Sequence, residues 1–146
     1  MTPLSSETLS RSVEDYLKTI YMLSGEERGD DAANTSAIAE RLHLAAPSVT
    51  GMLKRLAEQG LVSYEPYHGV RLSPAGRREA QRVVRRHRLI ETYLVAHLGF
   101  TWDTVHDEAE RLEHAASDDL VERMALALGH PRHDPHGEPI PARLDA

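Results

Sequence analysis

The sequence has 146 residues, of which 40% are hydrophobic, and this is enough for one domain or for two small subdomains that share a core. It contains no cysteine, which excludes disulfide bonds and thiolate metal sites, so any metal would be bound by nitrogen and oxygen. The N-terminal residues lack a basic region followed by an apolar core, and no apolar run approaches about 18 residues. These features predict a cytoplasmic protein that does not enter a membrane.

The net charge of −6 is unevenly distributed along the chain. Residues 34–92 carry ten basic and five acidic side chains, whereas residues 1–33 and 93–146 have net charges of −4 and −7. A polyanion responds to the local patch, because screening limits the reach of a charge to about 8 Å at physiological ionic strength. The middle segment is therefore a candidate for nucleic-acid binding despite the acidic total.

The N-terminal segment predicts one helix followed by a loop. Residues 12–25 place apolar side chains at the spacing of one helix face, and Gly25 suits the end of that helix. Residues 26–34 are rich in charged and small residues and predict a loop.

Two further helices are predicted before the middle of the chain. Residues 35–44 predict a short helix with Thr35 or Ser36 as its N-cap. Residues 45–60 predict a longer helix with Pro47 in its first turn, where the missing N–H is harmless.

The next twelve residues predict a β-hairpin. Residues 61–72 contain two short β-prone runs about a turn from Pro66 to Gly69. A helix, a short helix, a helix and a hairpin follow one another in a winged helix-turn-helix. In that arrangement the start of the helix over residues 45–60 enters a major groove of DNA. The hairpin is the wing, and it lies along the neighbouring DNA backbone.

Basic, small and hydroxyl side chains fall where such a fold meets DNA. Basic residues on the helix over residues 45–60 and on the wing would contact phosphates, namely Lys54, Arg55, His68 and Arg71. Small and hydroxyl residues would face the bases, namely Ala46, Pro47, Ser48 and Thr50, and Thr35 and Ser36 complete the predicted set. The alternative is a helical domain with a solvated basic face. The coincidence of hairpin and basic segment favours DNA binding.

The second half of the chain predicts three helices and an irregular tail. Ser73 as N-cap and Pro74 at the first helical position open a long helix that ends at Gly99. Residues 101–116 and 117–129 predict two more helices, and four of the eight prolines lie in the tail that follows.

The predicted fold class is mainly α with a small β-hairpin wing, a winged helix-turn-helix followed by a helical dimerisation domain. The domain boundaries predicted from the sequence are 1–73 for the DNA-binding domain, 74–130 for the metal-binding and dimerisation domain, and 131–146 for the tail.

Imidazoles and carboxylates line one face of the helix predicted over residues 101–116. Residues three and four apart share a helix face, which aligns His106, Glu110, Glu113 and His114. A divalent cation would stabilise such a face. Two alternatives remain at this point, namely that water hydrates the face or that arginines of the long helix neutralise it, the candidates being Arg85, Arg86 and Arg88.

Residues on two other helices favour a metal. His87 and Glu91 repeat the four-residue spacing on the long helix, and Asp15 stands among apolar neighbours on the first helix. Each alone is compatible with a capped or solvated side chain, but together they indicate a histidine-containing pocket rich in oxygen ligands.

Segments along nearly the whole chain resemble the iron- and manganese-dependent repressors typified by the diphtheria toxin repressor and the manganese transport regulator. The segments occur in family order and are EDYLKTIYML, IAERLHLAAPSVTGMLKRLAEQGLV, LSPAGRREA, RRHRLIETYL, VHDEAERLEH and GEPIP. The resemblance implies a homodimeric winged-helix protein that binds a palindromic operator in double-stranded DNA, with a metal as corepressor. It also implies control of metal-homeostasis genes.

The resemblance assigns two sets of metal ligands. The primary set is Asp15, Glu110, Glu113 and His114, and the ancillary set is His87, Glu91 and His106. Iron-type members have sulfur ligands at the positions of Asp15 and Glu110. Manganese-type members have carboxylates there, as this sequence does. Carboxylates suit Mn²⁺, so Mn²⁺ is the expected corepressor, with Fe²⁺, Co²⁺, Zn²⁺ and Cd²⁺ as alternatives. Lys18 departs from the manganese-type pattern, which has glutamate there, and this favours a carboxylate primary site with a separate ancillary site.

Apolar residues on the last helix predict an isologous dimer interface, and an internal core is the alternative for them. They are Leu120, Val121, Met124, Ala125, Leu126 and Leu128. The tail histidines His130, His133 and His136 are expected to lie in a solvated linker, and GEPIP resembles the linker to an SH3-like domain. Motifs of metallohydrolases and di-iron bundles are missing, so an enzyme is not expected. The rival hypothesis is a winged-helix regulator that needs no metal.

Overall fold

The computed structural model describes residues 9–25 and 31–143, and residues 26–30 of the predicted loop lie outside them. The elements in chain order are α1 (Arg11–Leu23), α2 (Thr35–Leu42), α3 (Ala46–Glu58), β1 (Val62–Glu65), β2 (Gly69–Leu72), α4 (Pro74–Leu98), α5 (Val105–Glu113) and α6 (Asp118–Ala127). The predicted fold class is confirmed. Among the described residues, no helix has the length and apolar character needed to cross a membrane. The chain forms two compact units, Met1–Gln81 and Arg82–Ala146.

Helix α1 supplies much of the apolar core of the first unit. Its start is capped by Ser10, whose side chain accepts a hydrogen bond from the Val13 N–H at 3.1 Å. Leu17, Ile20 and Tyr21 are buried on one face, as the helical spacing predicts.

Asn34 caps helix α2, so the prediction that Thr35 or Ser36 is the cap is wrong. The Asn34 side-chain oxygen accepts from the Ser36 N–H at 2.7 Å and from the Ala37 N–H at 3.4 Å. Asparagine caps helices at least as well as serine or threonine, so the sequence contained three adjacent candidates. Thr35 and Ser36 are left in the first turn, at the helix start.

Helix α3 and the hairpin complete the first unit. Pro47 lies in the first turn of α3, and β1 pairs with β2 in antiparallel register from Val62 opposite Leu72. The predicted loop also contacts the hairpin, because the Ala33 N–H donates to the Val70 carbonyl at 2.7 Å and the Ala33 carbonyl accepts from the Val70 N–H at 3.0 Å. The wing is therefore anchored to the segment that precedes α2.

Helix α4 begins as predicted, at a close approach of two backbones. The Ser73 hydroxyl accepts from the Gly76 N–H at 3.0 Å and donates to the Gly60 carbonyl at 2.7 Å. A Cβ atom on Gly76 would lie 1.9 Å from the carbonyl oxygen of Leu61. Only glycine fits here, because any side chain would overlap the main chain that leads into β1.

The second unit packs α5 and α6 on the C-terminal part of α4. Ile90 and Leu94 form one core cluster with Val105 and Ala109, and Leu89 forms another with two residues of α6. Helix α5 begins at Val105, four residues after the predicted start.

Side-chain hydrogen bonds explain the late start of α5. The Thr101 hydroxyl donates to Asp103 at 2.5 Å and lies 2.8 Å from the Thr104 hydroxyl. Threonine and aspartate side chains that bond locally compete with helix formation, so residues 101–104 form a turn.

Residues 131–143, the part of the tail that the structure describes, contain no helix or strand, as predicted, but they pack on α4 and do not form a solvated linker. The tail backbone folds back in a bridge between His133 and Pro139, and the Asp134 carboxylate accepts the N–H groups of His136 and Glu138 at 2.9 and 2.8 Å. Arg88 donates to the Pro139 carbonyl at 2.7 Å. The tail is thus fastened to α4 by main-chain acceptors.

Candidate metal centre and nucleic-acid interface

Five of the predicted DNA-contacting residues line one groove of about 690 Å³ in the first unit. They come from the start of α2, from α3 and from the wing, namely Thr35, Ser36, Thr50, Lys54 and His68. Ala46, Pro47 and Ser48 are exposed at the start of α3, and Arg55 and Arg71 are exposed on α3 and β2. The groove offers the Lys54 ammonium, an imidazole and hydroxyl groups, which are donors for phosphate oxygens.

The ancillary set predicted from the sequence forms a cluster within the second unit. His87, Glu91 and His106 each offer one ligand atom, and these atoms lie within 4.8 Å of one another. Glu91 Oε2 lies 3.1 Å from His87 Nε2 and 3.5 Å from His106 Nδ1. Helix α4 provides the first two residues one turn apart, and α5 provides the third.

Glu91 is a buried carboxylate whose charge and surroundings suit a metal ligand. Only 2% of its surface is exposed, and its Oε2 atom lies 3.1 Å from His87 Nε2. Burial acts to raise the pKa of Glu91, but hydrogen bonding and charge from His87, with smaller effects of Asp134 and His136, lower it to about 2. An ionised buried oxygen facing two imidazole nitrogens suits a divalent cation.

Three residues of the predicted primary set also come together in the second unit. Glu110, Glu113 and His114 offer ligand atoms within 4.8 Å of one another. Glu113 is fully buried, and its Oε2 atom lies 3.4 Å from His114 Nε2. Asp15, the fourth member, is on α1 in the first unit, and its assignment stays a prediction from the family resemblance.

Arg85 and Arg86 of α4 make hydrogen bonds outside the acidic face of α5. Arg85 forms a two-bond ion pair with Glu122 of α6 at 3.0 and 2.8 Å, so the alternative that Arg85 neutralises the acidic face is wrong. Arg86 donates to the Ala116 carbonyl at 2.8 Å.

Two tail residues that the sequence reading left out of the metal site lie beside Glu91. Asp134, Glu91 and His136 also offer ligand atoms within 4.8 Å of one another. His136 Nδ1 lies 3.6 Å from Glu91 Oε1 and 4.0 Å from Asp134 Oδ2. Burial raises the pKa of Asp134, and Glu91 adds to the rise. The sequence did contain one signal for this. The run from Asp134 to Gly137 contains aspartate, proline and glycine, which favour a turn, and the turn places His136 beside Glu91.

Matches to known families cover both halves of the chain. Residues 8–70 match the iron-dependent repressor N-terminal DNA-binding domain, and residues 73–142 match the iron-dependent repressor metal-binding and dimerisation domain. The chain belongs to the iron-dependent repressor family. Its members are metal-dependent transcriptional regulators, and the second matched domain is the one through which they bind metal and dimerise.

Relatives of known sequence place the chain within this family. The iron-dependent repressor IdeR of Mycobacterium leprae is 40% identical over 134 residues, which cover 92% of this chain and 57% of IdeR. An HTH-type transcriptional regulator of Methanocaldococcus jannaschii is 38% identical over 120 residues, which cover 82% of this chain and 94% of that protein.

Solved structures of the family share the fold. A manganese-dependent transcriptional repressor in complex with manganese matches with a TM-score of 0.80 at 48% identity, covering 89% of this chain and 58% of that one. ScaR with bound Zn²⁺ matches with a TM-score of 0.75 at 40% identity, covering 89% and 59%. The chain therefore spans just over half the length of IdeR and of these two repressors.

Proposed function

We propose that this protein is a Mn²⁺-responsive repressor that binds a palindromic operator as a homodimer and controls genes of metal-ion homeostasis. The observation that carries the proposal is the pair of ligand clusters in the second unit, within a domain of a family that binds metal and dimerises.

The ligand types favour manganese over the alternatives. The primary cluster contains two carboxylates and one imidazole, and carboxylate oxygen suits Mn²⁺ better than softer ions. Nitrogen and oxygen ligands bind Fe²⁺, Co²⁺ and Zn²⁺ more tightly than Mn²⁺, so selectivity depends on coordination geometry and on supply. Fe²⁺ is the second candidate because IdeR, a relative at 40% identity, is named as iron-dependent.

The ancillary cluster would hold a second ion. His87, Glu91 and His106 provide two nitrogens and one oxygen, and Asp134 and His136 lie on the other oxygen of the same carboxylate. We propose that these tail residues contribute to the same ion.

Dimerisation is supported by apolar side chains that the second unit leaves exposed. Leu120 and Leu126 of α6 are 45% and 67% exposed, whereas Val121 and Ala125 are buried in the unit's own core. The internal core predicted as one alternative for α6 thus involves its inner face, and the outer face is left for the proposed dimer interface. The outer face would pack on its symmetry mate, as an isologous interface requires.

We propose that Asp15 links metal binding to DNA binding. Bound metal supplies positive charge that stabilises carboxylates brought close together, which would otherwise repel. Asp15 belongs to α1, which packs against α2 and the wing within the DNA-binding unit. Its carboxylate would thereby select the arrangement in which the two reading heads of a dimer match successive major grooves, about 34–36 Å apart.

Selection from random DNA tests the proposal. A pool of random-sequence duplexes is bound to the protein with Mn²⁺ and, in parallel, with a chelator. We expect a palindromic sequence to be enriched only with Mn²⁺, and the Asp15→Ala variant to select nothing above background while still folding. Enrichment that is equal with the chelator would support the metal-independent regulator instead.

A further inference from the structure

The tip of the wing carries an exposed tyrosine in a strained backbone conformation. Strands β1 and β2 pair up to Glu65 opposite Gly69, and the loop between them contains Tyr67. Tyr67 has a φ of 66°, in the left-handed region that a bulky side chain rarely adopts. Its side chain is fully exposed, so it buries no surface against the described residues that would offset the strain. A strained residue with no packing role indicates a function outside the fold itself.

The wing holds this tyrosine in a fixed place. The His68 N–H donates to the Glu65 carbonyl at 3.0 Å, which closes the loop around Tyr67. The main-chain bonds between Ala33 and Val70 tie the hairpin to the segment that precedes α2. The ring is therefore presented to solvent from a braced hairpin, beside the helices that carry the predicted DNA contacts.

Tyr67 lines the groove of about 690 Å³ that contains the predicted phosphate contacts. Thr35 and Ser36 at the start of α2 and Thr50 and Lys54 of α3 line the same groove. These side chains suit a DNA backbone, because they donate to phosphate oxygens.

The position of that backbone decides which part of DNA the wing tip meets. In a helix-turn-helix protein the start of the second helix of the motif, here α3, lies in a major groove. Each backbone strand of a duplex separates a major groove from a minor groove. With α3 in the major groove and the backbone in the groove beside it, the tip of the wing lies on the minor-groove side.

We propose that Tyr67 contacts the minor groove of bound DNA and favours A·T base pairs there. This inference rests on the DNA binding in the proposed function. The minor-groove edge of an A·T pair offers only acceptors, to which the tyrosine hydroxyl can donate. A G·C pair adds the N2 amino group of guanine, which projects into the groove and obstructs the ring. Tyr67 thus adds sequence preference at base pairs that α3 does not reach.

Three short alternating duplexes separate the two grooves, namely dA-dT, dG-dC and dI-dC. Inosine carries the base of guanosine without the N2 amino group. The dI-dC duplex therefore has the major-groove groups of G·C and the minor-groove groups of A·T. A residue that reads the minor groove treats dI-dC like dA-dT, whereas one that reads the major groove treats it like dG-dC.

The experiment measures the affinity of the full chain for each duplex by fluorescence anisotropy at low salt, with Mn²⁺ and, in parallel, with a chelator. We expect the wild type to bind dI-dC about 2- to 10-fold more tightly than dG-dC, as one net hydrogen bond allows. Tyr67→Phe keeps the ring and loses the donor, so it should reduce this ratio, and Tyr67→Gly should abolish it. Lys54→Ala is the control, because a lost phosphate contact weakens binding to all three duplexes by the same factor and leaves the ratio unchanged.

Thermal unfolding separates the role in binding from a role in the fold. Glycine adopts a positive φ without steric cost, so Tyr67→Gly relieves the strain at the wing tip. We expect this variant to melt no lower than the wild type while it loses the preference for dI-dC. A structural role for the tyrosine would lower the melting temperature instead.

Two results would overturn the minor-groove contact alone. One is a wild type that binds dI-dC and dG-dC equally. The other is a uniform loss of affinity for all three duplexes in Tyr67→Gly with the ratio unchanged, since Tyr67 would then contact a phosphate. A wild type that binds none of the duplexes would instead remove the proposed DNA binding. Equal binding with Mn²⁺ and with the chelator would count against the metal dependence and leave the ratio as the test of Tyr67.

Discussion

The His136 imidazole donates through Nε2 to the main-chain carbonyl of Trp102 at 2.7 Å, and its Nδ1 atom faces Glu91. A carbonyl behind one ring nitrogen is the usual way in which a protein orients a metal-binding histidine. The Trp102 ring meets the His136 ring edge-on, with centroids 5.9 Å apart. The indole therefore lies beside the proposed ancillary ion.

Trp102 is the only tryptophan in the sequence, so its fluorescence should report on that ion. Mn²⁺ is paramagnetic, and we expect it to quench the emission of the wild type in a saturable titration. His136→Ala should weaken the quenching, while His133→Ala, which alters an exposed histidine of the same tail, should not. Identical titrations for all three proteins would argue against His136 as a ligand.

Glu110→Ala should lower the affinity for one Mn²⁺ ion by at least about 10- to 100-fold, which is the loss typical even for an outer-shell partner of a metal. Glu108→Ala is a matched control on the same helix, because Glu108 is paired with Arg111 at 3.1 Å. Equilibrium dialysis with metal analysis gives the number bound and the affinity. Equal binding by the two variants would contradict the assignment of Glu110.

Lys54→Ala should weaken binding to every duplex and lower the slope of log K against log salt by about one, because one phosphate contact is removed. Fluorescence anisotropy at a series of salt concentrations measures the slope. Arg123→Ala removes the same charge from the second unit, where Arg123 is paired with Asp119. We expect that variant to keep the wild-type slope, and an unchanged slope for Lys54→Ala would remove this residue from the DNA contacts.

Gly76→Ala should destabilise the protein by about 1–3 kcal/mol or more, because the new methyl group would overlap the Leu61 carbonyl. Gly51→Ala is the opposite case. A Cβ atom at Gly51, inside α3, meets nothing within 4 Å, so alanine should stabilise the helix by about 0.5–1 kcal/mol. Denaturation midpoints measured by circular dichroism would show shifts of opposite sign, and a neutral Gly76→Ala would disprove the tight approach.

Local sequence signals were sufficient for most of the fold. Ser73, Pro74 and Gly99 marked the ends of α4 correctly, because caps and helix breakers act within a few residues of where they stand. The cap of α2 was predicted one or two residues too late, at Thr35 or Ser36 instead of Asn34, since asparagine, serine and threonine are all good capping residues.

Helical spacing was also sufficient to select most of the ligand clusters. His87 and Glu91 lie one turn apart, and Glu110 is separated from His114 by the same interval, so each pair shares a face whatever surrounds it. Helical spacing could not predict that Asp134 and His136 lie beside Glu91. Their position depends on how the tail packs on α4, and no periodicity within the tail encodes that packing.

The anchoring of the tail fixes where the folded second unit ends. A chain cut after Gly129 would lose the carbonyl groups of Pro139 and Pro141, which are acceptors for Arg88 and Arg85. It would also lose Ile140, which covers Leu89. Each buried donor deprived of an acceptor costs about 1–3 kcal/mol, so such a shortened protein should melt at a lower temperature even with no metal present. The proline-rich tail is therefore an integral part of the folded second unit, because it packs on α4 and covers its core.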